Sequence, residues 1–327
     1  MQVYLDKDAD LSLIQARKVA VLGYGNQGRP QALNLRDSGV AQIAVAAREG
    51  SSADKARNDG FDVMTPTDAA AWADVLVMLA PDEDHARIFR TELAPNLRPG
   101  SALAFAHGLS IHFRLIDSYA DYDVFLVAPK GPGTALRREY LADSGLIALF
   151  AVAHDATGQA EQLALSYAAA IGSGRVGILP TTFAEECEAD LFNEQAVLWG
   201  AIPELIYAGY ETLTEAGFSP EIAYFECLTE VKLLADLIYE RGISGMREAI
   251  SNTAEFGALQ GGTRIVTADT RTEMRRILRE IRSGHFVEKL MEDAAAGYPR
   301  LKTSRAKAAA HPIEKVGARL RGLTERP

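Results

Sequence analysis

The stretch from residue 183 to residue 199 carries acids on the apolar side of a helix. Asp190 and Glu194 stand four residues apart on one helix face, beside Leu191, Phe192, Val197 and Leu198 rather than in a polar stripe. Like charges at that spacing destabilise an isolated helix by roughly 0.2 to 0.5 kcal/mol, and partial burial raises the cost. The spacing recurs at Glu226 and Glu230, embedded among Phe225, Leu228 and Val231. Two carboxylate pairs on two apolar helices imply a cation between them.

The elements that must position these acids begin with a nucleotide-binding pattern. Lys18 to Leu22 reads as a buried strand, and Gly23, Gly25 and Gly28 follow as G-x-G-x-x-G before a helix that ends at Gly39. In that pattern Gly23, Tyr24, Gly25, Asn26, Gln27 and Gly28 form a tight turn that a pyrophosphate can approach, its charge met by N–H groups at the helix start. Pro30 falls in the first helical turn, where its missing N–H costs little. The second strand, residues 41–47, ends at Arg48 instead of the acid that would hold the ribose hydroxyls of NAD. Arg48 with Ser51 and Ser52 suits a 2′-phosphate and favours NADP(H); Glu49 and Asp54 in the same loop work against it, and a solvated loop with a stray arginine is the other reading.

Further apolar runs at 74–80, 102–106 and 124–128, separated by helical segments, predict a parallel sheet covered on both faces. Ligands in such a sheet bind beyond the carboxyl ends of the strands, which nominates His107 and Lys130; each also reads as an exposed loop residue. His85 and His112 lack that position and read as surface residues. Strands at 145–152 and 175–179 flank a helix from about 158 to 171, after which the pattern becomes helical. The fold class is α/β: a Rossmann-like doubly wound parallel sheet over 1–181, then an all-α domain over 182–327. The basic stretch from Asp293 onward reads as a solvated tail or as an arm packed on a neighbour.

The 327 residues are 48% hydrophobic and 24% charged, ordinary for a soluble globular protein of two domains. A formal net charge of -10 argues against nucleic acid or an anionic membrane as a general partner. Cys187 and Cys227 read as small buried helix residues in a reducing compartment. With neither a signal-peptide pattern nor an apolar run of spanning length, a cytoplasmic location is expected.

Eight motifs in order carry a family likeness: GYGNQG at 23–28, FAHG at 105–108, VAPKGPG at 127–133, DLFNEQ at 190–195, AYFECL at 223–228, ISGMR at 243–247, ISNTAE at 250–255 and HPIEKV at 311–316. Together they resemble ketol-acid reductoisomerase of the short, class I type, nearly end to end. The resemblance implies that Asp190, Glu194, Glu226 and Glu230 surround two Mg²⁺ ions, with Glu226 and Glu230 from the second subunit of an interlocked, knotted helical dimer. Four hard oxygen ligands, without thiolate or imidazole at ligand spacing, favour Mg²⁺ or Mn²⁺ over Zn²⁺. His107 and Lys130 match the family's polar active-site residues, Ser251 its substrate-binding serine, and Gly133 belongs with the cofactor contacts.

The implied reaction joins an alkyl migration in 2-acetolactate or 2-aceto-2-hydroxybutyrate to reduction by NADPH, giving a 2,3-dihydroxy acid of valine and isoleucine biosynthesis. Glu230 is the candidate for exchanging the hydroxyl proton and Lys130 for stabilising oxyanion charge. Three places depart from the family pattern. Arg29-Pro30-Gln31 replaces His-Ala-His, Trp199-Gly200-Ala201 replaces Cys-Gly-Gly, and Ala53 replaces a serine used with Ser51 at the 2′-phosphate. They motivate an alternative: a paralogue with the same metal and NADPH chemistry acting on a different 2-keto or hydroxy-keto acid. A metal-independent NADP(H)-binding redox sensor is the reading from another class, and it leaves the four helix carboxylates without a purpose.

Overall fold

The computed structural model describes residues 2–324. Eight strands form one sheet: β1 (Lys18–Leu22), β2 (Gln42–Ala46), β3 (Asp62–Met64), β4 (Val75–Met78), β5 (Ala102–Phe105), β6 (Asp123–Pro129), β7 (Ala148–His154) and β8 (Ile178–Pro180), in the order β3-β2-β1-β4-β5-β6-β7-β8. The first six pair in parallel in the Rossmann order, reversing direction of travel at β1. Successive residues of each inner strand go to opposite faces. Val19, Val21, Val75, Val77, Phe125 and Val127 enter one core, whereas Ala20, Leu22, Leu76, Met78, Leu103 and Phe105 enter the other. Strands apolar on both faces require helices on both, and the crossover helices supply them.

β3 is absent from the sequence reading. It has three residues and no fully buried one, too little pattern to stand out. The sheet also carries an antiparallel pair, β6 with β7. The nine-residue helix Gly133–Leu141 leaves and returns at one end of the sheet, where the Lys130 amide donates to Ile147 O at 2.8 Å, so the chain runs back down beside β6.

The chain divides into two units, Met1–Ala189 and Asp190–Pro327, and the division falls inside the helix Phe183–Asn193. The second unit is helical. Its small core gathers Tyr210, Ala223, Tyr224 and Ile313. The helix Glu230–Glu248, broken at Gly242 where φ is +69°, buries none of its residues and exposes Leu233, Leu234, Ile238 and Tyr239. Among the described residues three helical runs contain a widened π turn: Phe89–Leu93 directly follows Asp82–Ile88, Glu194–Leu198 directly follows Phe183–Asn193, and Phe225–Thr229 joins Pro220–Tyr224 to Glu230–Glu248. Among the described residues no helix is long and apolar enough to cross a membrane.

Candidate active site

The glycine turn lies at the carboxyl end of β1, where an open α/β sheet places its ligand crevice. Gly23 has φ of +95°, and a Cβ there would stand 2.6 Å from Leu79 O. A Cβ on Gly28 would stand 2.0 Å from Gly23 O, so that glycine lets helix and turn close on each other. At Gly25 a Cβ would meet nothing within 4 Å; the space beside it is open to a ligand. No side chain caps the helix Gly28–Asp37, which keeps its N-terminal end available to an anion. These features fit a dinucleotide.

Gly133 packs on this turn, because a Cβ there would lie 1.6 Å from Asn26 O. Gln27 donates through Nε2 to Gly131 O at 3.1 Å and accepts from Gln31 Nε2 at 3.1 Å, while the buried Tyr167 hydroxyl donates to Gln31 Oε1 at 2.5 Å. Burial raises the Tyr167 pKa, so the hydroxyl stays a donor. Gln31 thus braces the turn, linking Gln27 to Tyr167.

At the end of β2, Arg48 is exposed, and Ser51 and Ser52 open the helix Ser51–Asn58. Glu49 is engaged by Arg57 through two bonds of 2.6 and 3.0 Å. Ala53, within this helix, is buried.

His107 follows β5 and Lys130 follows β6, and both reach one carboxylate. Glu186, 1% exposed on the helix Phe183–Asn193, accepts from Lys130 Nζ at 2.8 Å and from the Gly108 amide at 2.9 Å; His107 Nδ1 lies 3.2 Å from its Oε2. Burial alone would raise the Glu186 pKa, but His107 and then Lys130 outweigh it and hold the carboxyl below its ordinary range. Burial likewise opposes charging His107. The Cys187 sulfur at 3.9 Å and the Glu186 carboxylate prevail, and the imidazole pKa rises well above normal. The first unit therefore holds a buried carboxylate that a lysine and a histidine reach from beyond adjacent strand ends. Glu186 is absent from the sequence reading, although it stands one helical turn before Asp190.

His85 is 2% exposed, contrary to its reading as a surface residue. Its helix, Asp82–Ile88, turns it inward against Phe105, with Nε2 2.8 Å from Ala80 O and Nδ1 2.9 Å from Ser110 Oγ. A carbonyl only accepts, so Nε2 carries the proton and Nδ1 accepts from the hydroxyl. Burial lowers the His85 pKa. The unfolded chain then binds a proton below about pH 6.5 that the folded chain refuses, and stability falls as pH falls from there toward the folded pKa. His85→Gln is expected to remove that slope, up to about 1.4 kcal/mol per pH unit; unfolding curves between pH 5 and 7 check it. His112 is half-buried, 3.3 Å from Glu188.

In the second unit, Asp190 and Glu194 are half-buried at the end of the helix Phe183–Asn193 and the start of its π turn. Nearby in sequence, Gln195 Nε2 is buried without a hydrogen-bond partner. Glu226 lies inside the π turn Phe225–Thr229 and Glu230 directly after it, both exposed. Widened turns of this kind occur frequently at functional sites. An all-carboxylate donor set suits a hard divalent cation. Ser251 is exposed and caps the helix Asn252–Ile265, accepting from the Ala254 amide at 3.2 Å. Trp199 is 66% exposed.

Comparison with known proteins agrees with this geometry. Residues 13–177 match the family model described as acetohydroxy acid isomeroreductase, NADPH-binding domain, and residues 183–326 match ketol-acid reductoisomerase, C-terminal domain. An NADH-preferring ketol-acid reductoisomerase from an uncultured archaeon is 40% identical over 100% of both chains, with a TM-score of 0.96. A semialdehyde dehydrogenase NAD-binding protein from Cupriavidus necator, in complex with calcium and NAD, is 18% identical with a TM-score of 0.61, covering 82% of this chain and 99% of that one. A pyrroline-5-carboxylate reductase from Coxiella burnetii is 15% identical with a TM-score of 0.51, covering 82% and 98%. The last two share the fold alone. The full-length match and the two consecutive domain matches show that this chain belongs to the ketol-acid reductoisomerase family, oxidoreductases built on a nicotinamide-dinucleotide-binding fold.

Proposed function

We propose that the chain is an Mg²⁺-dependent ketol-acid reductoisomerase that converts 2-acetolactate or 2-aceto-2-hydroxybutyrate to the corresponding 2,3-dihydroxy acid with NADPH. The observation that carries this is the buried Glu186 between His107 and Lys130, on the helix that continues into Asp190. Two Mg²⁺ ions held by Asp190, Glu194, Glu226 and Glu230 would supply Lewis-acid polarisation of the ketone and its neighbouring hydroxyl. NADPH on the glycine turn would supply the hydride.

The chain's own groups do the rest. Glu186 favours the charged form of His107 and accepts a hydrogen bond from Lys130, and Lys130 offers its ammonium to oxyanion charge that develops on the substrate. Glu230 exchanges the substrate hydroxyl proton, and Ser251, whose oxygen serves the backbone, keeps its O–H free to donate to substrate. The NADP(H) preference is supported by the exposed Arg48 guanidinium near Ser51 and Ser52, and by Arg57, which occupies the competing carboxylate of Glu49. The NADH preference of the archaeal relative makes this the first point to test.

A homodimer or higher oligomer with shared active sites is part of the proposal, with Glu226 and Glu230 reaching the site of a second subunit. The apolar residues exposed along Glu230–Glu248 support it, since solvent-facing apolar area on this scale marks an interaction surface. The deciding assay follows 2-acetolactate turnover with NADPH and NADH side by side, with and without Mg²⁺. Mg²⁺-dependent oxidation of NADPH in preference to NADH is expected. A kcat/KM far below about 10⁴ M⁻¹s⁻¹ would favour the paralogue acting on a different 2-keto acid.

A further inference from the structure

Asp59 gathers more charge-assisted hydrogen bonds than any helix requirement explains. It caps the C-terminal end of the helix Ser51–Asn58, the end at which the helix dipole disfavours a negative charge. Its carboxylate instead accepts from Arg29 Nε at 2.6 Å and from the Arg29 terminal nitrogen Nη2 at 3.0 Å, and takes a third bond from the Tyr24 hydroxyl at 2.8 Å. Its carbonyl accepts from Arg36 at 2.6 Å, and the Arg36 guanidinium lies over the Phe61 ring, which packs edge-on to Tyr24. Tyr24 belongs to the glycine turn, and Arg29 and Arg36 belong to the helix that follows it. The far end of the Asp59 helix begins at Ser51, just past β2. Asp59 therefore ties the two pieces of chain that a dinucleotide-binding sheet presents to the pyrophosphate and to the adenosine ribose.

We propose that Asp59, locked by Arg29 and Tyr24, is a positioning residue that sets the Ser51–Asn58 helix against the glycine turn and thereby sets affinity for the adenosine half of the nicotinamide cofactor. The inference rests on the glycine turn being the dinucleotide site and is independent of which substrate is turned over. Breaking the lock lets the helix start drift from the turn, and a ligand that spans both must then order them at the cost of its own binding energy. Because Arg29 is half exposed, the bond is partly screened and the effect is moderate.

The test measures dissociation constants of NADPH, NADH and ADP by calorimetry on the full chain without substrate, together with kcat at saturating cofactor. Arg29→Gln and Asp59→Asn are each expected to weaken all three ligands about fivefold to tenfold, with kcat within about twofold of the parent. The double variant should be no weaker than either single one, and Arg29→Lys should recover part of the loss. Arg29→Gln removes only a half-exposed side chain, so it keeps the test alive if Asp59→Asn fails to fold. Unchanged dissociation constants in a folded Arg29→Gln protein, with or without a lower melting temperature, would reduce the lock to a structural staple and overturn the proposal. A fall in kcat at unchanged affinity would overturn it as well. Failure of the parent chain to bind any of the three probes would instead remove the dinucleotide reading itself.

Discussion

Glu186→Gln is expected to lower kcat by about a hundredfold or more while the protein still folds. Glutamine keeps the shape and can still accept from the Gly108 amide, but it removes the negative charge that the Lys130 and His107 side chains share. Stripping one partner from a buried ion pair costs about 3–5 kcal/mol in stability. Lys130 is a third exposed and can turn toward water, which places the cost at the low end of that range. His107 loses its strongest local anion, and its pKa should fall back toward the ordinary imidazole value. Steady-state kinetics and thermal unfolding on the same preparation check both effects. A kcat within threefold of the parent would leave the cluster a purely structural one.

Glu226→Gln should have the second large effect, on the response to metal rather than on cofactor. The substitution keeps the π turn and the helix but replaces a charged oxygen donor by a neutral one. We expect Mg²⁺-dependent turnover to fall at least about a hundredfold, with the NADPH dissociation constant within twofold of the parent. Activity measured across an Mg²⁺ titration, beside cofactor titration of the same protein, separates the two. An Mg²⁺ curve that superimposes on the parent curve would remove Glu226 from the metal site.

Much of the first unit is legible in the amino-acid sequence itself. Val19 to Leu22, Val75 to Met78 and Ala102 to Phe105 are unbroken apolar runs because their strands are buried on both faces, and a glycine turn after the first of them announces a dinucleotide fold. His107 and Lys130 stand out because polar residues immediately after such strands lie at the crevice. Glu186 does not stand out. It sits among Glu185, Glu188 and Asp190, and nothing in its type separates it from them until the fold brings a lysine, an imidazole and an amide to its carboxylate. His85 is hidden in the same way, preceded by Asp82, Glu83 and Asp84 in a polar run whose helix happens to turn the imidazole inward. Arg29 shows the converse: its type marks a departure from the family, but its partner, Asp59, is fixed only by how the Ser51–Asn58 helix packs.

The widened turns at Glu194–Leu198 and Phe225–Thr229 are equally hidden, since no residue type encodes them, and they also set an angle. An α-helix advances about 100° per residue, so a turn holding one residue more rotates everything downstream by that amount relative to an unbroken helix. Glu226 lies within the second such turn, and Leu233, Leu234 and Ile238 lie downstream of it on the same helical run. The extra residue fixes at once the direction of the candidate ligand and the phase of the apolar stripe beyond it. Deleting a single residue there could restore regular helix, yet it would swing that stripe by more than a quarter turn. The direction of the candidate ligand and the phase of the exposed apolar stripe are thereby locked to one another, and neither can be altered by insertion or deletion without turning the other.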